Sequence, residues 1–187
     1  MLLRNRPPSI ESRPAPTAKG LEHLADTSVS VINWLNANRI DYVLVGPVAR
    51  AIRGDQSSRG PVSIVPAPYG RNLDRLARAL DSAHAHERFA APGGRGEPAA
   101  VKLTGEKLVR TERWTLRCGE HDLDVEGRPD GVPRYQELLY EATRFEVAPG
   151  VSVEVASPED IEHYDHVRRT GVAPEIRVIR TAPTHSA

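Results

Sequence analysis

Asp122-Leu123-Asp124-Val125-Glu126 sets three carboxylates two residues apart. On a strand, alternate side chains share a face, so all three would line one side of a sheet. Carboxylates gathered this way suit a hard divalent cation such as magnesium, which takes oxygen ligands. His121 stands beside them and extends the donor set to that of a relocated metal site. The same alternation also describes a half-exposed strand, apolar inward and acidic outward. We read Glu126 as a solvated edge residue and leave both readings open for Asp122 and Asp124. Asp55, in the loop after Gly54, could swing toward such a site and join Asp124 there, although loop acids are usually just solvated. His163 and His166, three apart, could share a helix face, but as metal ligands they would need partners from elsewhere. His84 and His86 alternate on a short segment.

A second chemical feature lies at residues 42–54. An apolar run ends in Gly46, and a short amphipathic run closes on Gly54. This predicts a buried strand that turns sharply into a helix, with a backbone able to approach a ligand closely. The unpaired amides and dipole of a helix N-terminus favour an anion, which makes Gly46 a candidate phosphate cradle. Pro47 removes one of those donors, and a tight turn that merely needs glycine explains the residue equally well. Arg50, Arg53 and Arg59 would add charge to such a pocket or stand as ordinary surface arginines.

Taken in order, Gly46, Ala49, Gly54 and Arg59 resemble the motif of the minimal nucleotidyltransferases, the group that includes antibiotic adenylyltransferases and abortive-infection toxin enzymes. That motif runs from a strand through a Gly-Gly or Gly-Ser turn into an alanine-bearing helix ending in His-Gly. Arg-x-Thr-x-Asp-Ile-Asp follows on the next strand. Here Pro47 replaces the second small residue and Arg53 the histidine, while Ser63 and Val65 fall where the paired aspartates belong. Residues 72–80 are similar to the helix after that pair. Residues 121–125 resemble the later strand that supplies a third carboxylate, which falls on Asp124. Residues 135–139 and 153–161 look like the closing helix, strand and helix.

The resemblance spans residues 21–169 and implies an α+β fold, a nucleotidyltransferase-like mixed β-sheet with flanking helices. It places nucleotide contacts at Gly46, Arg59 and Ser63, and a catalytic, metal-binding carboxylate at Asp124 with Asp122 beside it. An active member would use magnesium and a nucleoside triphosphate, transferring a nucleotidyl group to a protein, RNA or small-molecule acceptor. A serine hydroxyl is a weak neutral ligand and valine is none, so we favour an inactive member without cofactor. Such a protein would bind a nucleotide or a partner protein in a regulatory or toxin–antitoxin-like role. A third reading is a structural interaction module that docks through its first helix.

The elements that must position these residues follow from pattern. At 187 residues the chain can build one domain with a proper core. Residues 1–20, rich in Pro and Arg, read as a disordered tail, 21–170 as the domain, and 171–187 as a C-terminal tail. Helical spacing predicts helices over 21–38, 47–53, 71–82 and 134–141. Ser157-Pro158 opens a last helix as N-cap and first helical residue. Strands are expected at 41–45, 62–65, 122–125, 145–147 and 151–155, and a strand or tight strand pair over 107–118. Prolines around 62–65 argue for an edge or an abrupt end. Residues 91–99 read as a loop and 176–179 as a weak strand.

The 25 basic and 25 acidic residues balance, which does not point to nucleic acid as a partner. Apart from Lys19, Lys102 and Lys107 every basic residue is arginine, and with abundant Ala, Gly and Pro this points to a GC-rich bacterial genome. Cys118 is alone and reads as a buried, inert thiol, with Trp114 in the core and Trp34 in the core or an interface. No apolar run is long enough to span a membrane and no secretory signal opens the chain, so we expect a cytoplasmic protein.

Overall fold

The computed structural model describes residues 18–88, 102–127 and 131–171. The expected loop at 91–99, the strand at 176–179, and nearly all of both terminal tails lie outside these residues.

Among the described residues the order is α1 (Asp26–Ala37), β1 (Tyr42–Val45), α2 (Gly46–Ile52), β2 (Val62–Pro66), α3 (Gly70–Ser82), β3 (His86–Glu87), α4 (Gly105–Arg110), β4 (Arg113–Cys118), β5 (His121–Glu126), α5 (Tyr135–Glu141), β6 (Thr143–Ala148), β7 (Val151–Val155) and α6 (Pro158–Thr170). The strands form one seven-stranded sheet in the order β3-β4-β5-β2-β1-β7-β6. β1 runs parallel to β7 and β2 parallel to β5, and the other neighbours are antiparallel. This is a mixed sheet with helices packed on it, as expected of an α+β chain.

Local chemistry accounts for most element boundaries. Every residue of β1 is buried, as a strand with neighbours on both sides requires. Ser157 caps α6 by accepting the Asp160 amide, Pro158 follows it, and Gly171 closes the helix at φ +68°. The prolines around β2 mark an abrupt end, not an edge. β2 lies between β5 and β1, with Pro61 just before it and Pro66 paired with Tyr42 at the last rung.

The expected strand over 107–118 is corrected. Its first part is helix α4, because Thr104 caps it through the Lys107 amide and buried Leu108 packs it inward. Only Arg113–Cys118 is strand. At the end of the segment expected as a tail, the Ala18 amide donates to the Val147 carbonyl of β6 at 2.9 Å.

The core runs through Ile32, Leu35, Leu44, Ile64, Leu76, Leu80 and Leu123, all essentially inaccessible. α1 packs across β2, β5 and β7 and turns Val29, Val31, Ile32, Trp34 and Leu35 inward. Its exposed positions are polar or small, so it offers no apolar face for docking. No helix among the described residues is long and apolar enough to cross a membrane.

One buried amide ties the sheet's centre to α3. Asn72 Oδ1 accepts the Asp41 amide at 2.9 Å, and its Nδ2 donates to the carbonyls of Asp41 and Ala67 at 2.9 and 3.0 Å. These contacts bracket the start of β1 and the end of β2. Asn72→Ala leaves the Asp41 amide and the Ala67 carbonyl without this partner, while the Asp41 carbonyl keeps the Ala67 amide, so we expect a loss of about 2 kcal/mol in urea unfolding. A negligible change would show that the bracket is dispensable.

Candidate functional site

The sheet register gathers the charged residues. β2 and β5 lie side by side with Ser63 opposite Asp124. On the far side of β5, the β4 partners are Arg113 for Glu126, Thr115 for Asp124 and Arg117 for Asp122. Directly opposed residues point to the same face, so three acids and two arginines share one side of the sheet. Arg88, just past β3, completes the row from the edge. Its Nη1 donates to Asp122 at 2.9 Å and its Nη2 to Asp124 at 2.6 Å. Arg117 Nε donates to the other Asp122 oxygen at 2.9 Å.

Glu126 corrects the expectation of a solvated edge residue. It is 1% exposed, less than either aspartate. β5 has β4 and β2 on its two sides, and α6 contributes Arg168 over its end. Arg113 Nε donates to both Glu126 oxygens at 3.1 and 3.2 Å, and Arg168 Nη2 binds Oε1. A carboxylate buried this deeply persists as a charge only with such partners. Asp124 is less well compensated. Burial raises its pKa above the usual carboxylate value, against the lowering effects of Arg88 and Arg168, while the Glu126 charge adds to the rise.

The structure brings Gly46 and Ser63 together beside this row. Gly46 has φ +71°, and a Cβ on it would lie 2.9 Å from Arg168 Nη1 and 2.9 Å from Ser63 Oγ. Glycine is therefore required twice, by the left-handed backbone and by the side chains packed over the turn. Ser63 is fully buried and its Oγ has no hydrogen-bond partner.

Arg59 is not brought to this place. Its Nη1 donates to the carbonyls of Gln56 and Ser58, at 2.6 and 2.9 Å, within its own exposed loop. The other arginines after the turn act as clamps. Arg50 Nε donates to Asp165 of α6 at 2.7 Å. Arg53 donates to the carbonyls of Ala156 and Val155, each at 3.0 Å, and lies over the Phe145 ring.

The remaining candidates sit elsewhere. Asp55 accepts from the amide and hydroxyl of Ser57, which hold its carboxyl below the usual range in an exposed loop. His163 Nε2 donates to the Gly131 carbonyl at 2.7 Å, so it is committed away from His166. His121 Nδ1 is buried without a partner. Burial, with Asp122 adding to it, pushes the Cys118 thiol up to about 12, which makes it the inert thiol expected. Among the described residues, no group of three or more His, Cys, Asp or Glu is arranged to hold a metal ion.

Two clefts open beside the row. One, of about 550 Å³, includes Val65, Pro66, Tyr135 and Tyr164 in its lining. The other, of about 680 Å³, includes Arg113, Glu126, Tyr164 and Arg168. The residues that sequence reasoning missed are thus the arginines 88, 113, 117 and 168. Two of them carried a signal: Arg113-x-Thr115-x-Arg117 has the same period as the acids it faces. Arg88 and Arg168 carried none, since each arrives from a distant segment. No protein-family model and no curated protein matches this chain.

The Asp124 shift has a sign that can be tested. A carboxyl whose folded pKa lies above its unfolded value binds its proton more tightly when folded. Its contribution to stability is complete below the unfolded pKa and is lost as pH rises through the folded value. The melting temperature of the wild type should therefore fall relative to Asp124→Asn as pH is raised from below 3.8, the ordinary aspartate value, toward neutrality. A difference that stays flat over that range would mean Asp124 titrates as an ordinary carboxyl.

Proposed function

We propose that this chain is a nucleotidyltransferase-like domain that binds a ligand or a partner instead of carrying out metal-dependent transfer. The observation that carries this reading is the pairing of every β5 carboxylate with arginine. A nucleotidyl-transfer site needs carboxylate oxygens free to take magnesium, which holds the triphosphate and activates the attacking oxygen. Here Arg88 engages Asp124, and Arg113 with Arg168 engages Glu126. Ser63 and Val65, on the neighbouring strand, supply no carboxylate. These residues do not fit the metal, and guanidinium supplies the positive charge that a cation would otherwise bring.

The local order supports the fold side of the proposal. A buried strand, a positive-φ glycine and a short helix are followed by a strand that runs antiparallel to the first and parallel to the later acidic strand. That arrangement agrees with the motif resemblance at Gly46, Ala49, Gly54 and Arg59. A regulatory or toxin–antitoxin-like role is the functional class most consistent with a retained scaffold and arginine-occupied carboxylates.

The test is incubation of the full chain with labelled nucleoside triphosphates, magnesium or manganese, and protein, tRNA or aminoglycoside acceptors. We expect no label transfer above a no-protein control. Transfer that disappears in Asp124→Ala would overturn the reading and restore Asp124 as a catalytic residue.

A further inference from the structure

We propose that the two clefts on either side of Tyr164 form one metal-independent site for a small amphipathic anion, a flat apolar body carrying a single phosphate or carboxylate. This deepens the binding role above and rests on it. Val132 and Tyr164 line both clefts, so the two spaces share a wall. Tyr164 donates its hydroxyl to the Pro133 carbonyl at 2.8 Å, which commits its polar end. The smaller cleft adds Val65, Pro66, Val109 and Tyr135, and aromatic and proline faces of this kind suit a flat apolar group.

The larger cleft supplies the charge. Arg113 reaches Glu126 through Nε alone, and its terminal amino groups make no hydrogen bond among the described residues. A guanidinium with both amino groups uncommitted is a planar fork for an oxyanion. Arg168 binds the same Glu126, so a single buried carboxylate faces two guanidiniums. Glu112 also lines this cleft, but it is exposed, where solvent weakens its opposition. The surplus is small. It suits one small anionic head group and not the several charges of a triphosphate, which would need a metal to neutralise them.

The experiment is isothermal titration of the full chain, without metal, using phenyl phosphate and phenylacetate as the two head-group probes. Phenol and inorganic phosphate serve as the separated halves. We expect at least one aromatic anion to bind one-to-one, about tenfold or more tighter than either half, and without change on adding magnesium. Arg113→Gln removes the fork, and Val132→Trp fills the shared wall without altering charge. Each should weaken binding of that probe by about tenfold or more, judged on variants that keep the wild-type circular dichroism. The proposal is overturned if neither probe binds the wild type, if the halves bind as well as the whole, if binding requires magnesium, or if a folded Val132→Trp binds as tightly as wild type. Failure of the probes with no nucleotidyl transfer would sink this site alone. Metal-dependent transfer would sink the functional reading beneath it.

Discussion

Glu126 is the residue on which this arrangement turns. Its carboxylate lies almost wholly out of water and is held by Arg113 from the adjacent strand and Arg168 from the last helix. Leaving such a charge without partners costs about 3–5 kcal/mol, far more than an exposed ion pair returns. The Arg168 pair therefore helps set where α6 sits over β5, whereas β4 is already held by its antiparallel ladder with β5. Arg50 and Asp165 tie the same helix to α2, so α6 is bound electrostatically at two places on one side of the sheet. The position of Arg168 then closes the space above Gly46, and the turn accepts no larger residue.

This explains why the acids behave so differently although they share a face. Asp122 is partly exposed, with Arg88 and Arg117 on its two oxygens. Asp124 is more buried, engages Arg88 alone by direct ion pair, and carries an upward pKa shift. Glu126 is deepest and has two guanidiniums. Exposure falls along the strand as the row leaves the Arg88 side and runs beneath α6. The buried Glu126 charge fits a static, arginine-compensated site, and because it offsets only one of its two guanidiniums it leaves the proposed anion pocket a modest positive surplus.

Much of the scaffold was legible from periodicity and capping. The strand at β1, the amphipathic α3 and the Ser157-Pro158 start of α6 all follow from local rules that the tertiary structure does not override. What could not be read was set by neighbours. The carboxylates of β5 have the pattern of a half-exposed strand, and only the pairing of β5 between β2 and β4 puts Glu126 inside. α4 depends on a cap at Thr104 and on packing against α3, neither of which leaves an apolar period in the sequence. Arg88 and Arg168 are far from β5 along the chain, so their role appears only once the chain is folded. Arg59 fits a motif in sequence, yet its side chain bonds its own loop.

As proposed above, arginine stands at the β5 carboxylates in place of a divalent cation. Electron paramagnetic resonance of manganese titrated with the full chain tests it directly, because the signal of free manganese falls as the ion binds. Wild-type protein should leave the free-manganese signal at full intensity through submillimolar metal. A loss of signal that Asp124→Asn abolishes would place a cation on those carboxylates and contradict the proposal.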